Sequence, residues 1–151
     1  MEKLDKDLQK RVWQRVQGDG AKQMPPLRQE NLKPWIMAAQ ENALCYSHLA
    51  RELGGKHGQQ LKKLAQQAKS CAACARGICR IRGEQVKVPQ LQPAKEPPKR
   101  MLEKCCHRER RLWEEAERRS VDPEYGPAYS RLARQAGERY AAVLELLGEM
   151  E

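Results

Sequence analysis

The sequence predicts an all-α protein built as a four-helix bundle. Two helical hairpins are joined by a long crossover, and a short N-terminal helix precedes them. Three observations lead there. Apolar residues recur at steps of three and four through four long stretches, the spacing that puts side chains on one helix face. Ala, Leu, Gln, Glu, Lys and Arg dominate, β-branched residues are few and Phe is absent, a composition that favours helix. Between the second and third stretches, Pro89, Pro93, Pro97 and Pro98 fall within residues 85–99 and mark an extended connection. A chain of 151 residues has the size of one domain and can bury a real core.

Residues 1–28 divide into a short amphipathic helix, with Leu4, Leu8, Val12 and Val16 on its apolar edge and Trp13 beside it, and a connector through Met24, Pro25, Pro26 and Leu27. The bundle occupies 29–151. Its first hairpin, 29–84, starts with a helix near Leu32 to Trp35, with Pro34 in the first turn, and Gly54 and Gly55 stop it after Leu53. The inner stripe reads Ile36, Ala39, Ala43, Tyr46, Ala50 and Leu53. The second helix is expected shortly after Gly58 and runs to about Arg82, with Leu61, Leu64, Ala68, Cys71, Ala75 and Ile78 inward. The second hairpin, 100–151, follows the 85–99 crossover. Its first helix ends near Arg119 and turns Leu102, Cys105, Cys106, Leu112, Trp113 and Ala116 inward. Its second runs from about Pro127 to Leu147, where Gly148 ends it, and its stripe is Tyr129, Leu132, Ala133, Ala136, Tyr140, Val143, Leu144 and Leu147.

Composition narrows the function classes. The net charge of +9 admits an acidic partner, but Lys and Arg are mixed with Glu on every helix, as on solvated faces, and the basic cluster at Arg108, Arg110, Arg111, Arg118 and Arg119 has no aromatic platform. Nucleic acid is therefore not the expected partner. No apolar run reaches the ~20 residues of a membrane span, and the N-terminus lacks the apolar segment of a signal peptide, so a soluble, cytoplasmic protein is expected. There is no Ser-His-Asp set, no Gly-rich phosphate loop and no pair of catalytic acids.

The two halves echo each other. Leu64-Ala65-Gln66-Gln67-Ala68 matches Leu132-Ala133-Arg134-Gln135-Ala136. Tyr46 follows Ala39 by seven residues, and Trp113 follows Cys106 by seven. Ala39 to Ala68 is 29 residues and Cys106 to Ala136 is 30. A duplicated helical hairpin with a crossover resembles the ferritin-like superfamily, most closely its rubrerythrin-like branch. Arg11-Val12-Trp13-Gln14-Arg15-Val16 is similar to the N-terminal helix of small bacterial members.

The resemblance implies a pair of irons or manganeses inside the bundle, held by one Glu from each of the first and third helices and a Glu-x-x-His pair from each of the others. Carried over, the first-helix Glu falls on Ala39 and the second-helix pair on Ala68 and Cys71. The third-helix Glu falls on Cys106, or on Cys105 in the neighbouring register, and the fourth-helix pair falls on Ala136 and Arg139. None is a ligand of the family. Ala offers no donor, and Arg brings positive charge to a place for cations. Glu41 lies round the helix from Ala39 and faces solvent, and Glu138 is out of register with the core stripe. Glu109 alone shares a face with Cys105, Cys106 and Leu112, and its expected partner is Arg139, since a buried arginine needs one.

Six cysteines in a cytoplasmic chain are not expected to be disulfide staples. Cys71, Cys74, Cys105 and Cys106, with His107 nearby, are the candidates for a thiolate site for zinc or copper(I). The simpler reading is burial as small side chains, because Cys71-x-x-Cys74 lies within a helix and not at its N-terminus or in a metal-binding turn. Cys45 is placed only as the neighbour of Tyr46. His48 and His57 read as surface residues, and Trp13, Trp35 and Trp113 as packing residues. The expectation is a protein without a working di-metal centre and without a cofactor: a non-enzymatic scaffold, partner-binding or regulatory protein. A di-metal oxidase or peroxidase and a cysteine-based soft-metal binder are the alternatives. A protein partner is expected but not named, and the Ala-rich faces permit self-association.

Overall fold

The computed structural model describes residues 31–92 and 95–150. The N-terminal helix expected within 1–28 lies outside the described residues. Among those described, every regular element is an α-helix: α1 (Lys33–Leu53), α2 (Gly55–Ile81), α3 (Pro98–Arg119) and α4 (Gly126–Glu149).

Helix α1 opens with a proline in its first turn, where the missing N–H has no partner to lose. It ends at Gly54, whose N–H bonds to the Ala50 carbonyl at 3.1 Å. Gly54 and Gly55 both adopt positive φ, 61° and 58°, so the chain reverses within two residues. Helix α2 therefore begins at Gly55, earlier than the start after Gly58 read from the sequence. The Gly58 N–H already bonds back to Gly54 at 2.8 Å, and a side chain at Gly58 would stand 2.8 Å from the Ala50 carbonyl oxygen. At the far end α2 closes in a Schellman motif. Gly83 (φ 77°) bonds to the Arg80 carbonyl at 3.0 Å, and the Glu84 N–H bonds to the Cys79 carbonyl at 2.8 Å.

Register between α1 and α3 comes from two side chains. The Trp35 indole Nε1–H donates to the Leu112 carbonyl at 3.1 Å, and Asn42 Nδ2–H donates to the Cys105 carbonyl at 3.1 Å. Going forward along α1 means going backward along α3, so the two are antiparallel. In α2 and α4, His57 meets Glu149 at 2.7 Å and Cys71 meets Gln135 at 3.3 Å, so these are antiparallel as well. Helices α2 and α3 then run in the same direction, and residues 82–97 must return along the bundle. Sixteen residues reach roughly 53 Å when extended, more than the ~33 Å length of a 22-residue helix. Val86 and Val88 are half-buried against an apolar cluster to which all four helices contribute, while Gln85 and Lys87 face out.

The turn between α3 and α4 is held by Asp122, whose Oδ1 accepts the backbone N–H groups of Glu124 and Tyr125, both at 2.8 Å. Helix α4 continues through Gly148 to Glu149, past the expected stop. Its inner face is also set differently from the expected stripe. Leu146 is buried, Leu147 is half-buried, and Leu144 is 47% exposed. Arg139 explains the phase: the buried row is Leu132, Ala136, Arg139, Val143 and Leu146, each three or four residues on. Leu53 is likewise at the surface, and Leu49 takes the inward place at the end of α1. Trp113 is half-buried. Its ring lies over Gly137, where a side chain would come within 3.4 Å, and against Tyr140 at a centroid distance of 6.2 Å.

Candidate functional site

The buried apolar side chains form two clusters. One gathers Leu32, Trp35, Ile36, Ala75, Ile78, Leu112, Tyr129 and Leu132. The other gathers Leu49, Leu61, Leu64, Met101, Leu102, Val143 and Leu146. Where they meet lies a polar layer to which all four helices contribute: Tyr46 from α1, Cys71 from α2, Glu109 from α3, and Gln135 and Arg139 from α4.

The layer is a connected hydrogen-bond chain. Arg139 Nε–H donates to both carboxylate oxygens of Glu109, each at 3.0 Å, and the two side chains are 0% exposed. The Tyr46 hydroxyl donates to Glu109 Oε2 at 2.6 Å. Arg139 Nη1–H donates to Cys71 Sγ at 3.1 Å, and the Cys71 thiol donates to Gln135 Oε1 at 3.3 Å. Arg139 Nη2 is buried with no hydrogen-bond partner among the described residues. Burial disfavours charge on Arg139, but Glu109 and Cys71 outweigh it, and the guanidinium is held charged more firmly than an ordinary arginine. Burial, reinforced by the Glu109 charge, pushes the Tyr46 hydroxyl well above its usual range, so it remains a donor. Burial also raises Cys71, against the pull of Arg139.

The hydroxyl of Tyr46 is a hydrogen bond to a charged group in a water-poor interior. Tyr46→Phe is expected to lose about 1.5–3 kcal/mol of stability. The loss should appear as a lower urea midpoint at unchanged slope.

The six positions that the resemblance assigns to ligands are all buried: Ala39, Ala68, Cys71, Cys106, Ala136 and Arg139. They do not fit a pair of cations. Three are alanines, and Arg139 directs its guanidinium at Glu109, the one carboxylate of the layer. The expected ion pair between Glu109 and Arg139 is present. Glu138 is exposed, and Glu41 is paired at the surface with Arg108 at 3.0 Å.

The four candidate thiols do not share one place. Cys71 lies against Arg139 and Gln135, Cys74 is half-buried at the first cluster, and Cys105 and Cys106 pack in the second. His107 is exposed. No group of three or more His, Cys, Asp or Glu among the described residues is placed to hold a metal ion. His48 stands 3.4 Å from Glu52, and His57 bridges the first turn of α2 to the end of α4 through Glu149.

Cys105 instead shares the second cluster with Cys45 of α1, a pairing that the sequence reading missed. The Cys105 thiol donates toward Cys45 and, aided by the Arg108 cation and opposed by burial, lowers Cys45 to about 7. Cys105 itself is pushed far up by the same contact and by burial. Arg108 Nη1 lies 3.9 Å from Cys105 Sγ and donates to Asn42 Oδ1 at 3.1 Å. The signal available was Asn42, three residues after Ala39 and three before Cys45, on the face that meets α3.

No family model, curated protein or solved structure gives a significant match to the chain. No helix among the described residues is long and apolar enough to cross a membrane.

Proposed function

We propose that the chain is a ferritin-like bundle of the rubrerythrin-like branch in which a fixed ion pair stands where relatives would hold two metal ions. It serves as a non-enzymatic scaffold, partner-binding or regulatory protein. Support for the fold comes from the two antiparallel hairpins, the parallel direction of α2 and α3 and the long return between them. The near-equal spacing of Ala39 to Ala68 and of Cys106 to Ala136 supports a duplicated unit.

One observation carries the non-catalytic half: Arg139 Nε bonds both oxygens of fully buried Glu109. A di-metal site needs several anionic oxygens converging on cations. Here the single carboxylate of the layer is engaged by a guanidinium and a phenol. Elemental analysis of protein made in iron- and manganese-supplemented medium tests this. Only trace metal is expected, whereas about two irons or manganeses per chain would restore the oxidase or peroxidase reading. Stoichiometric zinc or copper, released by a thiol reagent, would instead favour the soft-metal binder.

A further inference from the structure

The six cysteines do not share one environment. Cys71 gives its hydrogen to Gln135, and burial raises it; Cys79 and Cys106 are raised mainly by burial too. Cys45 differs. It lies on α1 in the same buried cluster as Cys105 of α3, with Arg108 and Glu41 at the rim, their side chains 20% and 42% exposed. Cys45 itself reaches solvent slightly and Cys105 not at all. The register of the two helices is pinned one turn away, where Asn42 bonds the Cys105 carbonyl on one side and Arg108 on the other.

We propose that Cys45 and Cys105 form an oxidation site: Cys45 reacts with a hydroperoxide as small as hydrogen peroxide, and Cys105 closes the product into a disulfide that ties α1 to α3. The Cys45 thiolate attacks one peroxide oxygen, the O–O bond breaks, and hydroxide leaves and takes up a proton as water. Cys45 becomes a sulfenic acid. The Cys105 sulfur then attacks the Cys45 sulfur, the S–OH bond breaks, and the hydroxide leaves as water with the Cys105 proton. Two thiols are oxidised by two electrons, and one peroxide is reduced to two waters. The chemistry needs a nucleophile that ionises easily, a nearby cation, and a second thiol within reach. Cys45, Arg108 and Cys105 supply these in order. Bond formation requires the two sulfurs to close to about 2 Å with the Cα atoms of α1 and α3 within about 7 Å of each other.

The test uses the whole reduced chain and hydrogen peroxide near stoichiometric amount. The thiol count is expected to fall from six to four, and the intact mass to drop by two hydrogens. Trypsin releases Cys105 and Cys106 in one peptide, between Lys104 and Arg108, so the cross-linked fragment is assigned with variants. The cross-link should form in Cys106→Ser and be lost in Cys45→Ser and Cys105→Ser. In Cys105→Ser a sulfenic-acid trap should label Cys45. Thiol loss without a cross-link to Cys45 in the wild-type chain would overturn the proposal. So would a cross-link that survives Cys105→Ser, or no thiol loss at all. The wild-type measurements do not depend on the variants folding.

Discussion

Glu109→Leu and Arg139→Met are each expected to destabilise the protein by about 3–5 kcal/mol, while the two together, combined with Tyr46→Phe, are expected to recover most of the loss. The reason is asymmetry. Glu109 and Arg139 are both 0% exposed. Removing Glu109 leaves a guanidinium in a water-poor interior, with Arg139 Nη1 still on a thiol and Nη2 already without a partner. Removing Arg139 leaves a carboxylate with only the Tyr46 hydroxyl. Replacing the whole set by apolar side chains of similar volume removes the charges and the need to satisfy them. Tyr46 must change too, since its hydroxyl would otherwise lose its only acceptor. Urea unfolding of the singles, the pair and the triple would measure the coupling. Single variants that stay within about 1 kcal/mol of the wild type would show that the interior is wetter than its burial indicates.

The same ion pair shows what the sequence makes legible. Glu109 shares a helix face with Cys105 and Leu112, so a helical wheel brings it inward, whereas Arg139 is reached only through the resemblance, which sets a ligand position three residues after Ala136. The helix ends at Leu53 and Arg119 are legible because glycine, or a Ser-Val-Asp-Pro turn, follows them. Phase at the end of α4 is not legible in the same way. Val143, Leu144, Leu146 and Leu147 are all apolar, and two faces fit them equally well. The arginine in the buried row decides, and a scan for apolar periodicity passes over an arginine. The contact of Cys45 with Cys105 joins residues sixty apart in sequence. It depends on the lateral register of α1 against α3, which Trp35 and Asn42 fix through backbone carbonyls. Periodicity gives each helix its inward face but not its height against a neighbour.

Ala39→Glu, which would add a second carboxylate to the interior, is expected to lose about 3–5 kcal/mol and to gain no metal. Ala39 is 0% exposed and belongs to the apolar cluster with Trp35, Ile36, Ala75 and Leu112. A glutamate there overfills a packed site, at about 1–3 kcal/mol, and its carboxyl enters surroundings that disfavour charge. Its pKa in the folded protein should then rise above the unfolded value of about 4.3. The native state would hold a proton that the unfolded state has released, so stability should fall as pH rises from about 4.3 through the folded pKa. Wild-type protein supplies the baseline, and the difference between the two unfolding curves should widen across that window. Added iron or manganese should not raise the melting temperature, because ligands bind only where several donors converge, and Arg139 still engages the one carboxylate of the central layer. A variant that is as stable as wild type, or that binds two metal ions per chain, would mean that the interior retains a space that the packing of Ala39, Ala68 and Ala136 does not show. The centre is filled by volume and by charge together, and adding one donor addresses neither.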